Sequence, residues 1–366
     1  MTNGKSLAIT FVLPGGGTLP CGGFKVVYEY ANALVRKGHR VAVVHPVFID
    51  GEMLPVQYGK RIVRGIQRSV DKSYRPDAWF KVDPRVRLLW RPSPHARFIP
   101  DADAVVATSW RTAEWIAKYP AFKGRKFYLI QHQETWDGPD DRVMATWRLP
   151  LHKIVISRWL QAIADEMSEK STYIPNGLDF QAFGMDTAPE QRNPYRVMML
   201  NHHLEWKGSA EGLKAMQIVR DRIPALEADL FGVPPAPEGL PSWIRYHRNP
   251  QQARLRELYN QAAVFLAPSW AEGWPLPPAE AMICGAAVVA TDIGGHREFC
   301  MPNQTALLSL PKDPNAMAEN LLILLMDQER RICLARAGSE FIQQFTWDRA
   351  VNALEGTLRA KMSETA

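Results

Sequence analysis

The segment 272–282 carries the residues with the clearest chemical potential, and it reads EGWPLPPAEAM. Pro277 and Pro278 suit the first turn of a helix, where a missing N–H group costs little. The helix is therefore predicted to begin at Pro277, with Glu272 in the loop before it and Glu280 about one turn inside it. Glu280 can accept two hydrogen bonds from a vicinal diol such as ribose, while Glu272 reaches another part of the same ligand. Backbone amides at such a helix start suit an anionic phosphate.

A glycoside hydrolase is one alternative for a pair of carboxylates. Retaining hydrolases hold their two carboxyl groups about 5–5.5 Å apart, whereas eight residues of helix separate two positions by ~12 Å. The spacing of Glu272 and Glu280 therefore favours two contacts to one extended ligand over the acid and nucleophile of a hydrolase.

Six further segments accompany the two glutamates in a definite order along the chain. They are Pro14–Gly17 with Gly22-Gly23 after the first predicted strand, 131–134 (QHQE), 175–179 (PNGLD), Lys207-Gly208 before a helix, 294–298 (GGHRE) and 345–347 (FTW). With these segments, nearly the whole chain resembles retaining glycosyltransferase family 4. That family has the GT-B fold, and its marker is a pair of glutamates separated by seven residues.

The resemblance assigns roles to residues at matching positions. It implies that Glu280 binds the nucleotide ribose and that Glu272 contacts the hydroxyls of the donor sugar. Lys207 would pair with the diphosphate and stabilise the leaving group, and His132 would lie near the reacting carbon. The further donor-binding residues would be Gly273, Trp274, Pro275, Leu276, His203 and Asn176, and the loop facing phosphate or acceptor would contain Gly16, Gly17, Gly22 and Gly23.

Structural alternatives remain for each of these residues. His132 is also compatible with a hydrogen-bonded core histidine, Lys207 with a solvated surface lysine, and the glycines with simple turns. The family usually has an arginine a few residues before the lysine, but the segment 201–206 reads NHHLEW. His203 is predicted to replace that arginine, as a neutral donor or a partly charged one.

The elements that must position these residues follow an alternation of short apolar runs and helix-period segments, which is typical of βαβ units. The predicted fold class is α/β, with two Rossmann-like doubly wound domains facing a central cleft. We expect an acceptor-binding domain at 1–185, a nucleotide-sugar-binding domain at 186–345, and a C-terminal helix at 346–366 that packs back on the first domain. Residues 176–195 are predicted to form the linker.

Charge is distributed unevenly along the chain. Residues 1–185 contain 26 Lys and Arg against 17 Asp and Glu, a balance of +9, whereas the remainder contains 18 against 21, a balance of −3. The basic half is compatible with a solvated face, with a phospholipid surface or with a lipid-phosphate acceptor. No motif supports nucleic acid as a partner. We expect a cytoplasmic protein, with the inner face of the membrane as an alternative location, because no secretory signal or spanning segment is evident.

The implied reaction is transfer of a sugar from a nucleotide-diphosphate sugar to a glycan, a lipid-linked molecule or a small molecule, with retention and without a metal ion or other cofactor. No Asp-x-Asp pair follows the carboxyl end of a predicted strand, and the four cysteines have no ligand spacing. A sugar-nucleotide-binding protein without transfer activity and an epimerase on the same fold are the alternatives. A nicotinamide enzyme is disfavoured, because the loop after the first strand lacks G-x-G-x-x-G.

Overall fold

The computed structural model describes residues 5–49 and 55–364. Its strands in chain order are β1 (Ala8–Val12), β2 (Arg40–Pro46), β3 (Arg87–Arg91), β4 (Ala104–Ala107), β5 (Arg125–Ile130), β6 (His152–Val155), β7 (Ser171–Tyr173), β8 (Arg196–Leu200), β9 (Glu227–Gly232), β10 (Ile244–Arg248), β11 (Val264–Ala267), β12 (Ala287–Thr291) and β13 (Ala306–Ser309). Its α-helices are α1 (Gly22–Arg36), α2 (Pro55–Asp71), α3 (Trp110–Ala117), α4 (Asp140–Ala145), α5 (Arg158–Glu166), α6 (Ser209–Arg222), α7 (Gln252–Gln261), α8 (Leu276–Ile283), α9 (Pro314–Met326), α10 (Gln328–Phe341) and α11 (Trp347–Ser363).

The chain divides into two compact units, one formed by Met1–Asn176 with Trp347–Ala366 and the other by Gly177–Thr346. The sheet of the first unit has the strand order β3-β2-β1-β4-β5-β6-β7, and its neighbouring strands are parallel. Its central strands β1 and β4 are almost wholly apolar and buried on both faces, as parallel strands covered by helices require.

The sheet of the second unit has the order β10-β9-β8-β11-β12-β13 and is also parallel. Apolar side chains of its strands pack with those of α6 and α9, including Met199, Leu230, Met216 and Leu321. Both sheets contain the Rossmann order, in which the strand sequence reverses beside the first strand of each unit. The predicted α/β class with two Rossmann-like doubly wound sheets is confirmed.

Several element boundaries differ from the predicted ones. The first unit ends at Asn176 rather than 185, because Leu178 donates its N–H to Phe345 O at 2.9 Å and so ties the predicted linker to the second unit. Gly22 and Gly23 form the first turn of α1 instead of the loop before it. Helix α8 begins at Leu276, one residue before the predicted start.

Helix α11 belongs to the first unit, where it packs on α1. Tyr30 of α1 meets Trp347 edge to face with ring centroids 5.2 Å apart. Lys37 Nζ lies 2.6 Å from a carboxylate oxygen of Glu355. The last two residues of the predicted segment 346–366 lie outside the described residues.

Candidate active site

The strongest candidate site lies at the point of the second sheet where the strand order reverses. Strands β8 and β11 are parallel neighbours there, so their carboxyl ends meet at the same edge. The loop 201–208 leaves β8 at this edge and carries Lys207, and the loop 268–275 leaves β11 and carries Glu272. Ligands of open α/β sheets bind at this kind of position.

Lys207 and Glu272 form a mostly buried ion pair. The Nζ of Lys207 donates to Oε1 and Oε2 of Glu272 at 2.7 and 2.9 Å, with the two side chains 22% and 12% exposed. Burial alone would raise the pKa of Glu272, but the charge and hydrogen bond of Lys207, with a smaller contribution from His296, hold that pKa below its ordinary value. Glu272 is therefore an ionised acceptor at neutral pH.

Two glycines allow the loops to approach each other. Gly208 has φ +66°, and a Cβ there would lie 2.1 Å from Pro268 O. A Cβ at Gly295 would lie 2.4 Å from the carbonyl oxygen of Glu272. Because both contacts are to backbone, larger side chains at these positions would displace the ion pair. Gly295, for which a simple turn is the structural alternative, therefore lies at a site of close packing.

Glu280 lies in α8 and is buried, and Tyr259 donates its hydroxyl hydrogen to Glu280 Oε2 at 3.2 Å. The start of α8 offers fewer backbone N–H donors to an anionic phosphate than predicted. Pro275 is the N-cap, and the second and third helical positions are Pro277 and Pro278, none of which has an N–H. Leu276 is thus the one residue of these four positions with a backbone donor.

Trp274 points its side chain away from solvent. The indole is 5% exposed and packs against Phe299 and Phe345, with ring centroids 5.0 and 5.5 Å away. Its side chain anchors the 268–275 loop in the core, which leaves only its backbone for the predicted ligand contact.

His203 stacks on His202 with ring centroids 4.6 Å apart. Burial, with smaller contributions from Lys207 and His203, lowers the pKa of His202 to about 4. His202 is therefore neutral at physiological pH, and its Nδ1 accepts the N–H of Leu204 at 3.1 Å, which leaves Nε2 as the donor. Sequence reasoning assigned no role to His202. The sequence feature that could have drawn attention to it is the absence of the family's usual arginine from the segment 201–206.

The glycine loop of the first unit is held by an aromatic cluster. Gly17 donates its N–H to Tyr74 O at 2.7 Å and accepts from Trp79 Nε1 at 2.7 Å. A Cβ at Gly17 would lie 2.1 Å from the Tyr28 hydroxyl, and one at Gly16 would lie 3.2 Å from the Trp90 ring. The residues that shape this loop lie at position 28 and between 74 and 90, outside any recognised motif, and sequence reasoning did not connect them with the loop.

His132 follows β5 in the first unit, as predicted. Its Nδ1 accepts the N–H of Gln133 at 2.8 Å. Its ring packs edge to face with that of Trp136, with ring centroids 4.1 Å apart. Gln131 donates to Gly23 O at 3.2 Å, which joins the end of β5 to the start of α1.

Glu134 belongs to the same segment but had no assigned role. Its backbone is left-handed with φ +60°, and its Oε2 accepts the N–H of Trp110 at 2.7 Å. Burial, with Asp137 nearby, raises the pKa of Glu134 to about 8 despite that hydrogen bond and the charge of Arg111.

Asn176, the last residue of the first unit before Gly177, is buried, and within the described ranges its Oδ1 has no hydrogen-bond partner. Among the residues that the structure describes, no group of three or more His, Cys, Asp or Glu is arranged to hold a metal ion. Within 5–49 and 55–364, no helix has the length and apolar character needed to cross a bilayer.

Comparison with known proteins bears directly on the second unit. Residues 195–327 match the family model for glycosyl transferases group 1. This range contains both loops of the site and all of α8. The C-terminal unit is a group 1 glycosyltransferase domain.

Curated relatives and solved structures agree with that assignment. The glycosyltransferase domain is similar to D-inositol 3-phosphate glycosyltransferase of Xylanimonas cellulosilytica, with 34% identity over 116 residues, which are 32% of this chain and 28% of that protein. It is similar to O-antigen chain mannosyltransferase B of Escherichia coli, with 33% identity over 106 residues, which are 29% and 27% of the two chains. The matches thus span less than a third of these relatives' length. The structure of HepE from Anabaena in complex with UDP-glucose superposes with a TM-score of 0.74 at 15% identity, covering 97% of this chain and all of that one.

The predicted resemblance to the family-4 glycosyltransferases is confirmed, and the whole-chain likeness to HepE confirms the GT-B fold class. The role of each site residue stays a prediction.

Proposed function

We propose that this chain is a retaining glycosyltransferase that moves a hexosyl or deoxyhexosyl group from a nucleoside diphosphate sugar to a glycan, a lipid-linked molecule or a small molecule. The proposed context is the synthesis of cell-surface polysaccharide or glycoconjugate. The observation that carries the proposal is the Lys207–Glu272 pair at the reversal point of a glycosyltransferase domain, with Glu280 on the adjoining helix.

In the proposed mechanism the protein binds and orients groups rather than forming a covalent bond. The transition state is oxocarbenium-like, and negative charge grows on the leaving diphosphate, where a fixed cation is most useful. Lys207 supplies that cation, and Glu272, being ionised, accepts hydrogen bonds from donor-sugar hydroxyls. Neutral His202 donates from Nε2 without adding charge, and His203 stacks against it where the family usually has an arginine.

Retention follows, in this proposal, from attack of the acceptor on the face that the diphosphate leaves, and no metal ion takes part. Glu280 holds the ribose. We propose a UDP-sugar as the first donor to test, because the structural relative HepE was solved with UDP-glucose.

The deciding experiment is a thermal-shift screen against UDP, GDP, dTDP and ADP with wild type, Glu280→Ala and a control, Glu238→Ala. Glu238 is an exposed carboxylate in the same unit. A ligand at 100 times its Kd stabilises the folded state by ~2.7 kcal/mol. We expect one nucleotide to stabilise wild type and Glu238→Ala but not Glu280→Ala. Equal stabilisation of all three proteins would contradict the proposed ribose contact.

Transfer itself needs a second measurement. Incubation of the protein with the stabilising donor and with candidate acceptors in EDTA should yield a glycoside whose anomeric configuration, read by NMR, equals that of the donor. An inverted product or a requirement for added metal would refute the retaining, metal-independent part. Donor binding with an epimerised sugar and no glycoside would favour the epimerase alternative.

A further inference from the structure

Glu280 has a buried hydrogen-bonding neighbour, Tyr259, which belongs to no recognised motif. Tyr259 lies in α7 and donates its hydroxyl hydrogen to Glu280 Oε2 at 3.2 Å, and both side chains are buried. A hydrogen bond in such surroundings is electrostatically stronger than one in water, because the local dielectric constant is low. One oxygen of the Glu280 carboxylate is therefore held in a fixed place by the protein itself.

The ring of Tyr259 is fixed by aromatic packing. Three buried phenylalanine rings pack against it, with centroids 5.8, 5.9 and 5.8 Å away, and they belong to Phe183, Phe231 and Phe265. Burial, with a smaller contribution from the charge of Glu280, raises the pKa of the Tyr259 hydroxyl well above its ordinary value. The hydroxyl group is therefore protonated at neutral pH, and it is a donor in a constant position.

Arg192 joins the ends of the two helices that carry this hydrogen bond. Its Nη1 donates to the carbonyl oxygens of Tyr259 and Ala262, at the C-terminal end of α7, at 3.2 and 2.9 Å. Its Nη2 donates to the carbonyl oxygen of Cys284, which is the C-cap of α8. Burial lowers the pKa of Arg192 to about 10, so the guanidinium is still charged at neutral pH. A cation at two helix C-termini also interacts favourably with both helix dipoles.

The segment before β8 holds Arg192 in turn. Thr187 O accepts from Nε and Nη2 of Arg192 at 3.1 and 2.6 Å. Asn260, the residue after Tyr259, accepts the N–H groups of Asp186 and Thr187 through its Oδ1 at 2.7 and 3.1 Å. The segment that was predicted as a linker therefore anchors the end of α7, and with it the position of Tyr259 relative to α8.

We propose that Tyr259 is a positioning residue that makes the nucleotide site selective for ribose over 2′-deoxyribose, and that Arg192 supports it by fixing α7 against α8. This inference rests on the proposed contact between Glu280 and the ribose. Two vicinal hydroxyl groups can both donate to one carboxylate only when its plane faces them. A carboxylate that is held in that orientation rejects a ligand lacking one of the hydroxyls, because a hydrogen bond of the buried site is then lost. A carboxylate free to rotate makes this distinction poorly.

The test is isothermal titration calorimetry of the full chain with UDP, GDP and ADP, each beside its 2′-deoxy form, on wild type, Tyr259→Phe and Glu280→Ala. We expect wild type to bind one ribonucleotide about ten-fold or more tightly than the deoxy form, the equivalent of one hydrogen bond to a charged group. Tyr259→Phe should weaken that ribonucleotide by about three- to ten-fold and leave the deoxy form nearly unchanged. The ratio of the two dissociation constants should therefore fall, which a general loss of packing would not cause.

Two further variants accompany the test. Tyr195→Phe is the matched control, since Tyr195 packs on the core of the same unit but precedes β8, at the amino edge of the sheet. Its ratio should equal that of wild type. Arg192→Lys keeps a positive charge but has one nitrogen in place of three, so it cannot reach both helix ends. It should lower the ratio together with the melting temperature.

The outcomes separate this inference from the proposed function. If Tyr259→Phe keeps the wild-type ratio while Glu280→Ala loses it, the ribose contact stands and the positioning role of Tyr259 is overturned. If wild type distinguishes none of the ribonucleotides from its deoxy form, or if Glu280→Ala distinguishes them as wild type does, the ribose contact itself fails, and this inference fails with it.

Discussion

Lys207 and Glu272 depend on each other because both are largely buried at the edge of the sheet. Glu272 stays ionised there mainly because the ammonium group of Lys207 offsets the effect of burial on its pKa. When one partner of a buried pair is removed, the other charge is left uncompensated, at a cost of about 3–5 kcal/mol. Removal of either partner is therefore expected to destabilise the second unit.

Lys207→Met is expected to destabilise the second unit by about 3 kcal/mol at neutral pH. In wild type the lowered pKa of Glu272 contributes stability that is present above the ordinary carboxyl pKa and lost as pH falls through the lowered one. In the variant, burial raises that pKa, so stability is lost as pH rises through it. The difference in unfolding free energy between the two proteins should therefore grow from pH 4 to pH 8, measured by urea titration.

The double variant Lys207→Met with Glu272→Gln is the control, since it lacks the carboxylate and should not show the growing difference. Glu134, whose pKa is about 8, adds a pH dependence of its own. This contribution of Glu134 is the same in all three proteins and therefore cancels in the comparison. If the difference in unfolding free energy between wild type and Lys207→Met does not change with pH, the ionisation of Glu272 does not depend on Lys207.

At the scale of elements, the site depends on close packing between the loops 201–208 and 268–275, which Gly208 permits because it has no Cβ. Gly208 and Gly239 offer a matched pair, since their φ values are +66° and +69° but only Gly208 has atoms within 4 Å of an added Cβ. Comparing alanine at the two positions separates left-handed strain from steric contact.

Gly239→Ala is expected to cost about 1 kcal/mol of unfolding free energy, from the left-handed backbone alone. Gly208→Ala should cost more than about 3 kcal/mol and should also weaken nucleotide binding, because Pro268 O must move and Glu272 follows in the same loop. Denaturant melts and the thermal-shift assay measure both effects. Equal costs for the two variants would show that the contact with Pro268 is relieved without consequence.

Sequence reasoning predicted the elements whose signals are local. The proline pair predicted the start of α8 within one residue. The short apolar runs marked the central strands of both sheets.

Features that depend on distant contacts could not be predicted in this way. Helix α2 was not predicted. Its apolar residues Ile62, Val63, Ile66 and Val70 are exposed, so their spacing does not mark a face that packs on the core. The pairing of Lys207 with Glu272 joins residues 65 positions apart, and the neutrality of His202 follows from burial. The aromatic cluster around Gly17 was missed because its members are spread from residue 28 to residue 90.

At the scale of the whole molecule, the first unit is discontinuous in sequence and the second is continuous. Helix α11 returns to α1 and buries Ala350, Val351, Leu354 and Leu358. At about 1.5–3 kcal/mol for each of the larger side chains, this helix contributes several kcal/mol to the first unit.

A chain ending at Thr346 is therefore expected to lower the melting temperature of the first unit by more than about 10 °C and to leave that of the second unit unchanged. Calorimetry with and without the stabilising nucleotide identifies which transition belongs to the second unit. A chain ending at Ser363, which keeps all of α11, is the control and should melt like wild type. Equal lowering of both transitions would show that the units do not unfold separately.

The return of α11 also has a consequence for biosynthesis. Domains usually complete their folding in the order in which the ribosome makes them, but here the surface of α1 waits for α11, which is made after the whole of the second unit. The second unit, whose residues are contiguous, has all its parts outside the ribosome earlier. The unit whose translation begins first is thus the unit that is completed last, and during that interval α1 lacks the helix that packs against it.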